Sequence, residues 1–280
     1  MSPADPIPAP EAAQIFRENR AQGHVDLSVR VQGGRTRRES VAESGSYRIR
    51  FPNMSGAEAE AVIVNTAGGV AGGDTFSVAI SVGEGASLAV TTAAAEKVYR
   101  ALDRESRMDV RLKVAGGGAL RWVPQETILF DAADLHRRID VELADDAALV
   151  MAELVIFGRT AMNETMRGGA WTDQWRIRRD ARLVFAETVR LHGDIGTLLA
   201  QPAAGGGAVA LATMIIAPGD ETLAGRLRDH LASCRCEAGV SAWNNIAVVR
   251  LCGSDAAVLR AEVVSVLNAF GGALPRLWMN

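Results

Sequence analysis

The sequence predicts a mainly β protein made of layered, β-helix-like stacked sheets, with a small α/β part at its C-terminus. Strand-like alternation of apolar and polar residues dominates most of the chain, a short pattern recurs at a nearly constant spacing, and helix signals come only late. A chain of 280 residues can bury a large core, so we predict one domain over residues 1–280. The proline-rich start, residues 1–19, is predicted to be a frayed tail.

The recurring pattern is a short polar or glycine turn followed by Ala-x-Leu-x-apolar, with glycine in place of alanine in the second copy. Its leucines are Leu88, Leu120, Leu149 and Leu183, which lie 32, 29 and 34 residues apart. Most copies follow an alternating strand. Each unit is therefore predicted to be a strand, a tight turn and a second strand, and the units are predicted to stack as layers. An antiparallel sandwich is the alternative, since it also has turns at such spacings.

Composition excludes several classes of protein. The chain is 48% hydrophobic and 5% aromatic with a net charge of −3, which argues against a nucleic-acid surface and against an acidic disordered chain. Its longest apolar stretches, residues 147–157 and 208–217, are too short to span a membrane. The N-terminus has no apolar signal region. We predict a cytoplasmic protein that binds neither nucleic acid nor membrane.

The sequence contains no legible catalytic motif. Neither nucleotide-binding glycine pattern, no G-x-S-x-G elbow and no H-E-x-x-H motif is present, and the four histidines are scattered. The three cysteines, Cys234, Cys236 and Cys252, are an odd number in a long chain, which argues against a disulfide framework. Cys-x-Cys could bind a metal, but no second cysteine pair accompanies it, so a structural role is favoured.

Four closely spaced glycines stand out in the sequence. The glycines Gly68, Gly69, Gly72 and Gly73 are followed by Asp74 and a strand, which predicts a tight, specified loop. Further on, residues 93–100 (AAAEKVYR) are predicted to form a short helix after a strand. This run crowds Glu96, Lys97, Tyr99 and Arg100 together, which indicates a site or an interface.

Two carboxylates are predicted to face inward. Residues i, i+2 and i+4 of a strand share one face, so Glu153 lies with Leu149 and Met151, and Glu187 lies with Leu183 and Phe185. Burying an ionised carboxylate is costly unless a cation or hydrogen-bond donors satisfy it. Two explanations of the inward carboxylates are open. Either they form buried ion pairs with Arg159, Arg178 or Arg190, or they belong to a functional site.

Helix signals mark the C-terminal part. Asp220 precedes a predicted helix over residues 221–234, and Ser254 is a plausible N-cap for a second helix. Gly271 and Gly272 are predicted to end that helix. A strand over residues 246–251 lies between the two.

Five blocks carry a resemblance to a known family. They are NTAGGVAGGD (65–74), TTAAAEKVYR (91–100), WVPQETILF (122–130), FGRTAMNE (157–164) and LPRLW (274–278). In these blocks, and in their order, the sequence resembles the urease accessory protein family UreD, also called UreH, over nearly the whole chain. The resemblance implies a non-enzymatic maturation factor, a chaperone for nickel insertion, with a layered fold.

The resemblance also implies partners and a cargo. Such proteins bind UreF, which recruits the GTPase UreG, and the dimeric hetero-complex docks on apo-urease to deliver nickel. No cofactor is expected to be permanently bound, and Ni²⁺ is expected only in transit. Nickel is thought to move along an internal polar path in this family, and the candidates to line it here are Asp74, Glu96, Glu153 and Glu187.

The chemistry of a path favours carboxylates. Imidazole and thiolate ligands hold Ni²⁺ strongly, whereas carboxylates with retained water can release an ion in transit. Two alternatives remain. The protein could be a pure adaptor that bridges UreF to urease, or an unrecognised hydrolase, which would need paired carboxylates in an open cleft.

Overall fold

The computed structural model describes residues 20–52, 58–159, 162 and 164–279. The predicted tail, residues 1–19, lies outside the described residues. In chain order the strands are β1 (Gln22–Gln32), β2 (Arg35–Gly45), β3 (Tyr47–Arg50), β4 (Ala59–Asn65), β5 (Thr75–Val82), β6 (Ser87–Thr92), β7 (Glu96–Val98), β8 (Ser106–Val114), β9 (Ala119–Trp122), β10 (Thr127–Leu129), β11 (Asp134–Leu143), β12 (Ala148–Phe157), β13 (Gly168–Arg179), β14 (Arg182–Asp194), β15 (Ala210–Ala217), β16 (Glu237–Trp243) and β17 (Ile246–Gly253). The α-helices are α1 (Ile195–Ala200), α2 (Glu221–His230) and α3 (Ala256–Phe270).

These strands form two facing sheets. The first sheet has the order β14-β13-β11-β8-β5-β1-β2, and the second has the order β16-β17-β15-β12-β9-β6-β4-β3 with β10 and β7 alongside. One large apolar core lies between the sheets. A smaller core lies between the second sheet and the C-terminal helices.

The first three sequence repeats are successive layers of this structure. The pairs β5/β6, β8/β9 and β11/β12 each cross from the first sheet to the second, and equivalent strands pair in parallel. Leu120 lies directly opposite Leu88 on one side and Leu149 on the other, and all three are buried. The prediction of a mainly β, layered, β-helix-like fold with a small C-terminal α/β part is confirmed.

The fourth repeat does not start another layer. Asp180 and Ala181, both at positive φ, turn the chain back so that β14 pairs antiparallel with β13 in the same sheet. A bulge shifts the register between Ile177 and Arg178. Because the bulge breaks the alternation, Leu183 is 47% exposed while Phe185 is buried. The expectation that Leu183 shares the buried face is wrong.

The helical part follows the sequence signals closely. Asp220 caps α2 through a hydrogen bond accepted from the Leu223 backbone N–H, and Gly271 ends α3. The N-cap of α3 is Asp255 and not Ser254, because the Asp255 carboxylate accepts the N–H groups of Ala257 and Val258. None of the helices in the described ranges combines the length and the hydropathy that a membrane span requires.

The predicted helix over residues 93–100 is wrong. Residues 96–98 form strand β7, which pairs in parallel with β10. The neighbouring strand supplies backbone partners along the sheet, and this overrides the helix preference of the three alanines. The short helix α1 has no counterpart in the sequence prediction.

Candidate functional site

The inward faces of the two sheets bring Glu153 and Glu187 to one cavity. Glu153 lies on β12 in the second sheet, and Glu187 lies on β14 in the first. The cavity between them measures about 40 Å³, which is room for little more than water. Its lining also includes Arg137, Asp173 and Thr213.

Glu153 belongs to a buried polar group, the inter-sheet cluster, formed by Trp122, Arg137, Glu153 and Asp173. The Trp122 indole N–H donates to Glu153 Oε1 at 2.7 Å, and Arg137 Nη1 donates to Glu153 Oε2 at 2.5 Å. Arg137 also forms a two-pronged pair with Asp173, at 2.9 Å from Nε to Oδ1 and 2.6 Å from Nη2 to Oδ2. Each of the three charged residues is at most 4% exposed, so bulk solvent hardly reaches this network.

The inter-sheet cluster holds two carboxylates and one guanidinium. With all three ionised it carries an excess of one negative charge. Burial raises the pKa of Glu153, although Arg137 and the Trp122 hydrogen bond act in the opposite direction. Burial lowers the pKa of Arg137, but the charges of Asp173 and Glu153 outweigh this and raise it, so the guanidinium stays charged.

Glu187 sits at the edge of the same cavity with a different partner. Its side chain is 22% exposed and its Oε1 accepts a hydrogen bond from Arg250 Nη2 on β17 at 2.8 Å. The cations beside the two glutamates are thus Arg137 and Arg250. The predicted partners Arg159, Arg178 and Arg190 are wrong; Arg159 pairs with Glu164, and Arg178 lies 3.8 Å from Asp140.

Asp74 closes the glycine loop. Its carboxylate is buried and accepts the backbone N–H of Ala21 at Oδ1 and of Ala71 at Oδ2, both at 2.8 Å. The loop turns through positive φ at Gly68 (79°), Gly69 (151°) and Gly73 (90°), and Gly72 has no room for a side chain because a Cβ would lie 2.7 Å from the Arg104 carbonyl oxygen. Asp74 is not among the residues lining the inter-sheet cavity.

Glu96 faces a separate cavity of about 230 Å³, lined by the glycine loop and by residues 92–97. The Asn65 amide donates to Glu96 Oε1 at 2.9 Å. Burial raises the pKa of Glu96 to about 7, and the Asn65 hydrogen bond only partly offsets this. Of the four predicted path carboxylates, the structure thus brings two together, Glu153 and Glu187.

Comparison with known proteins identifies the family. The UreD urease accessory protein family matches residues 21–279. The chain belongs to this family. It is 53% identical over 274 residues to urease accessory protein UreD 3 of Bradyrhizobium sp. strain BTAi1, covering 98% of this chain and 99% of that one. It is 56% identical over 266 residues to UreD of Rhodopseudomonas palustris strain HaA2, covering 95% of both chains, and 52% identical over 281 residues to UreD of strain BisB18, covering 100% of both.

Family membership confirms the resemblance stated from the sequence blocks. UreD proteins are accessory proteins of urease and not enzymes. Within the described ranges, no three His, Cys, Asp or Glu side chains are arranged to hold a metal ion. The three cysteines have free thiols and are partly buried.

Sequence reasoning missed Arg137 and Asp173, although the signal was present. On β11, Leu135, Arg137 and Ile139 alternate along one face, and Leu135 and Ile139 are fully buried. Asp173 lies in the same way between the buried Trp171 and Trp175 on β13. Extending the period of two to these charged residues would have placed both on the inward face.

Proposed function

We propose that this chain acts as the UreD scaffold in urease maturation. In this role it binds UreF and, through UreF, the GTPase UreG, docks in the cytoplasm on apo-urease, and helps to deliver nickel to the urease active site. The observation that carries the proposal is the family match, which spans nearly the full length of the chain and of its relatives. Nickel is the cargo in this proposal and not a resident cofactor.

The proposal further assigns a route between the two sheets, past the inter-sheet cluster and Glu187. The excess negative charge of the cluster supports this, since a passing cation would compensate it in a low-dielectric interior. Carboxylate oxygens also hold nickel less tightly than imidazole or thiolate groups do. The cavity of about 40 Å³ holds little more than water, so passage requires lining side chains to move.

Asp74 and Glu96 have weaker claims to the same route. Both carboxylate oxygens of Asp74 already accept backbone N–H groups, which favours a role in shaping the loop. Glu96 lines a cavity beside the glycine loop rather than the one between the sheets. The route is therefore assigned first to Glu153 and Glu187, and nickel contact at the other two remains a prediction.

A pure adaptor is the second candidate, and one observation favours it. Arg137 already satisfies Glu153 and Asp173 with short hydrogen bonds, as expected of a purely structural network. The hydrolase alternative gains no comparable support, because Glu153 is closed off from solvent and does not line an open cleft.

The variants Glu153→Gln and Glu187→Gln, alone and together, separate a route from an adaptor. Glutamine keeps the shape of the side chain, and Glu153→Gln leaves Arg137 paired with Asp173 as a neutral unit, so the fold should persist. For a route, we expect complexes with UreF and UreG to assemble while urease gains little nickel, with the double variant most affected. The measurements are urease activity, nickel content and pull-down of the complex.

A matched control is Glu142→Gln, which removes an exposed carboxylate from β11. It should mature urease as well as the unchanged chain does. Normal nickel loading by the double variant in an intact complex would exclude the route and leave the adaptor. Loss of assembly in that variant would instead show that these carboxylates hold the fold together.

A further inference from the structure

The two sheets leave one side of the sandwich open between strands β2 and β3. Each is the last strand of its sheet. Between them lies a groove of about 1000 Å³, the edge groove, lined by eleven of the residues between 32 and 52 and by Ala59. Ten of the eleven residues of β2 are exposed, so this strand projects into solvent. An unpaired strand edge of this length can pair with an added strand.

Side chains already occupy three backbone groups of β3 that do not pair with β4. On β3, the Ile49 N–H donates to Glu43 Oε2 at 3.0 Å, and the Ile49 carbonyl accepts from Arg50 Nη1 at 2.7 Å. The Tyr47 carbonyl accepts from Arg48 Nη1 at 2.7 Å. Among the described residues, no side chain bonds to the backbone of residues 35–44 of β2. As far as the described residues go, these backbone groups of β2 are therefore available to a partner strand.

The edge groove is positively charged above an apolar floor. Arg35, Arg37 and Arg38 line it, and within the described ranges none of the three forms an ion pair; Arg38 lies 4.7 Å from the centre of the Phe51 ring. The nearby acids are engaged elsewhere, Glu43 with Arg50 at 3.3 Å and Glu39 with Arg30 at 3.9 Å. Charges on an edge strand often only prevent aggregation. Charges of either sign serve that purpose, whereas the three unpaired charges lining this groove have one sign.

We propose that the edge groove binds an extended acidic segment of a partner protein, which adds to the free edge of β2 as a further strand. Backbone hydrogen bonds to β2 would supply affinity, because strand addition uses the main chain of both partners. Alternate carboxylates of the segment would face Arg35 and Arg37, and the apolar side chains between them would cover Val41 and Phe51. Charge complementarity would set specificity and accelerate association.

The test uses the full chain and a fluorescently labelled soluble peptide of alternating Glu and Val. We expect anisotropy to report binding that weakens steeply as salt rises, since the groove is solvent-exposed. The double variant Arg35→Glu/Arg37→Glu should lower the affinity at least about tenfold. The matched control, Arg111→Glu/Lys113→Glu, makes the same charge change on the exposed face of β8 and should leave the affinity unchanged.

Three further probes decide how the peptide is recognised. A peptide with N-methylated backbone nitrogens and one of alternating Lys and Val should both fail to bind. Equal binding of either, or equal loss in both double variants, would overturn the proposal. So would equal binding of a single-stranded oligonucleotide of the same charge, which would indicate general anion binding. Self-association of the chain that is lost in Arg35→Glu/Arg37→Glu would identify a second copy as the occupant and contradict an acidic partner.

Discussion

Glu153 and Glu96 are two carboxylates for which the sequence predicts the same role, yet the protein accommodates them differently. Glu153 is buried, whereas Glu96 is partly buried. Glu153 accepts hydrogen bonds from a guanidinium and an indole in a cluster with a second carboxylate. Glu96 accepts one from the Asn65 amide and, within the described part of the chain, forms no ion pair. Burial raises the pKa of the neighbouring Tyr47, and the charge of Glu96 adds to this.

The difference concerns how a buried negative charge is compensated. In the inter-sheet cluster a fixed cation does so, and removing that cation should be damaging. In the cavity beside the glycine loop a proton can do so, because the pKa of Glu96 lies at about 7. The first site should therefore respond to mutation of its arginine, and the second to pH.

The largest expected effect is that of Arg137→Met. The variant leaves the carboxylates of Glu153 and Asp173 buried without their cation, because methionine has neither a charge nor a hydrogen-bond donor. Losing one partner of a buried ion pair typically destabilises a protein by about 3–5 kcal/mol. Chemical denaturation of the variant measures this. The exposed control Arg111→Met should change the free energy of unfolding by less than about 0.5 kcal/mol. A loss below about 1 kcal/mol for Arg137→Met would mean that the cluster is not held by this cation.

A change in the wall of the second cavity should have the next largest effect. In Gly69→Ala the new Cβ would lie 2.4 Å from the Tyr99 ring and 2.7 Å from the Lys97 carbonyl oxygen, at a φ of 151°. We expect a loss of about 2 kcal/mol or more in thermal or chemical unfolding. Gly225→Ala in α2, where a Cβ would meet open space, should instead stabilise by about 0.5–1 kcal/mol. Equal effects of the two changes would show that the loop is a tolerant connector.

Glu96→Gln should change how stability depends on pH. The folded pKa of about 7 lies above the ordinary value of 4.5, so the native state keeps a proton that the unfolded chain releases between these values. The stability of the unchanged chain therefore falls as pH rises from 4.5 to 7 and levels off above. The variant should lack this component and be more stable above pH 7 by about 2 kcal/mol. This is less than the roughly 3 kcal/mol of the full shift, because Glu96 is only partly buried and water screens part of its charge. Parallel stability curves for the two proteins would contradict the shifted pKa.

The smallest expected effect concerns Glu187, the more exposed of the two carboxylates that line the cavity between the sheets. Arg250→Gln removes the partner of Glu187, but both side chains are partly exposed, at 53% and 22%. Such a pair contributes about 0–1 kcal/mol, so thermal unfolding should barely change. A large loss would place Glu187 with Glu153 as part of a structural cluster.

Sequence reasoning reached the layers because their signal is local. Leu88, Leu120 and Leu149 repeat at similar spacing and follow alternating strands, and period and turn chemistry are readable within each unit. The prediction of a further layer was wrong for the fourth repeat. At Asp180 and Ala181 only the turn geometry decides whether the chain crosses to the other sheet or returns in the same one. Strand β7 was not predicted because it is held by pairing with β10, which lies about 30 residues further along the chain and leaves no local pattern in residues 96–98.

The candidate site was likewise predictable only where local alternation encodes it. The inward direction of Glu153 followed from alternation, and the same rule applied to Arg137 would have supplied its partner. The pair between Glu187 and Arg250 joins strands of different sheets that are 63 residues apart, which no local pattern encodes. Glu96 lies on β7 and Glu153 on β12, and strand β10 pairs between them, an arrangement that depends on contacts between distant segments.

The most direct measurement is the nickel content of urease matured by Glu153→Gln/Glu187→Gln, compared with Glu96→Gln, when each variant assembles its complex normally. A nickel route between the two sheets predicts poor loading by the double variant and near-normal loading by Glu96→Gln. Full loading by the double variant, or a defect confined to Glu96→Gln, would contradict it.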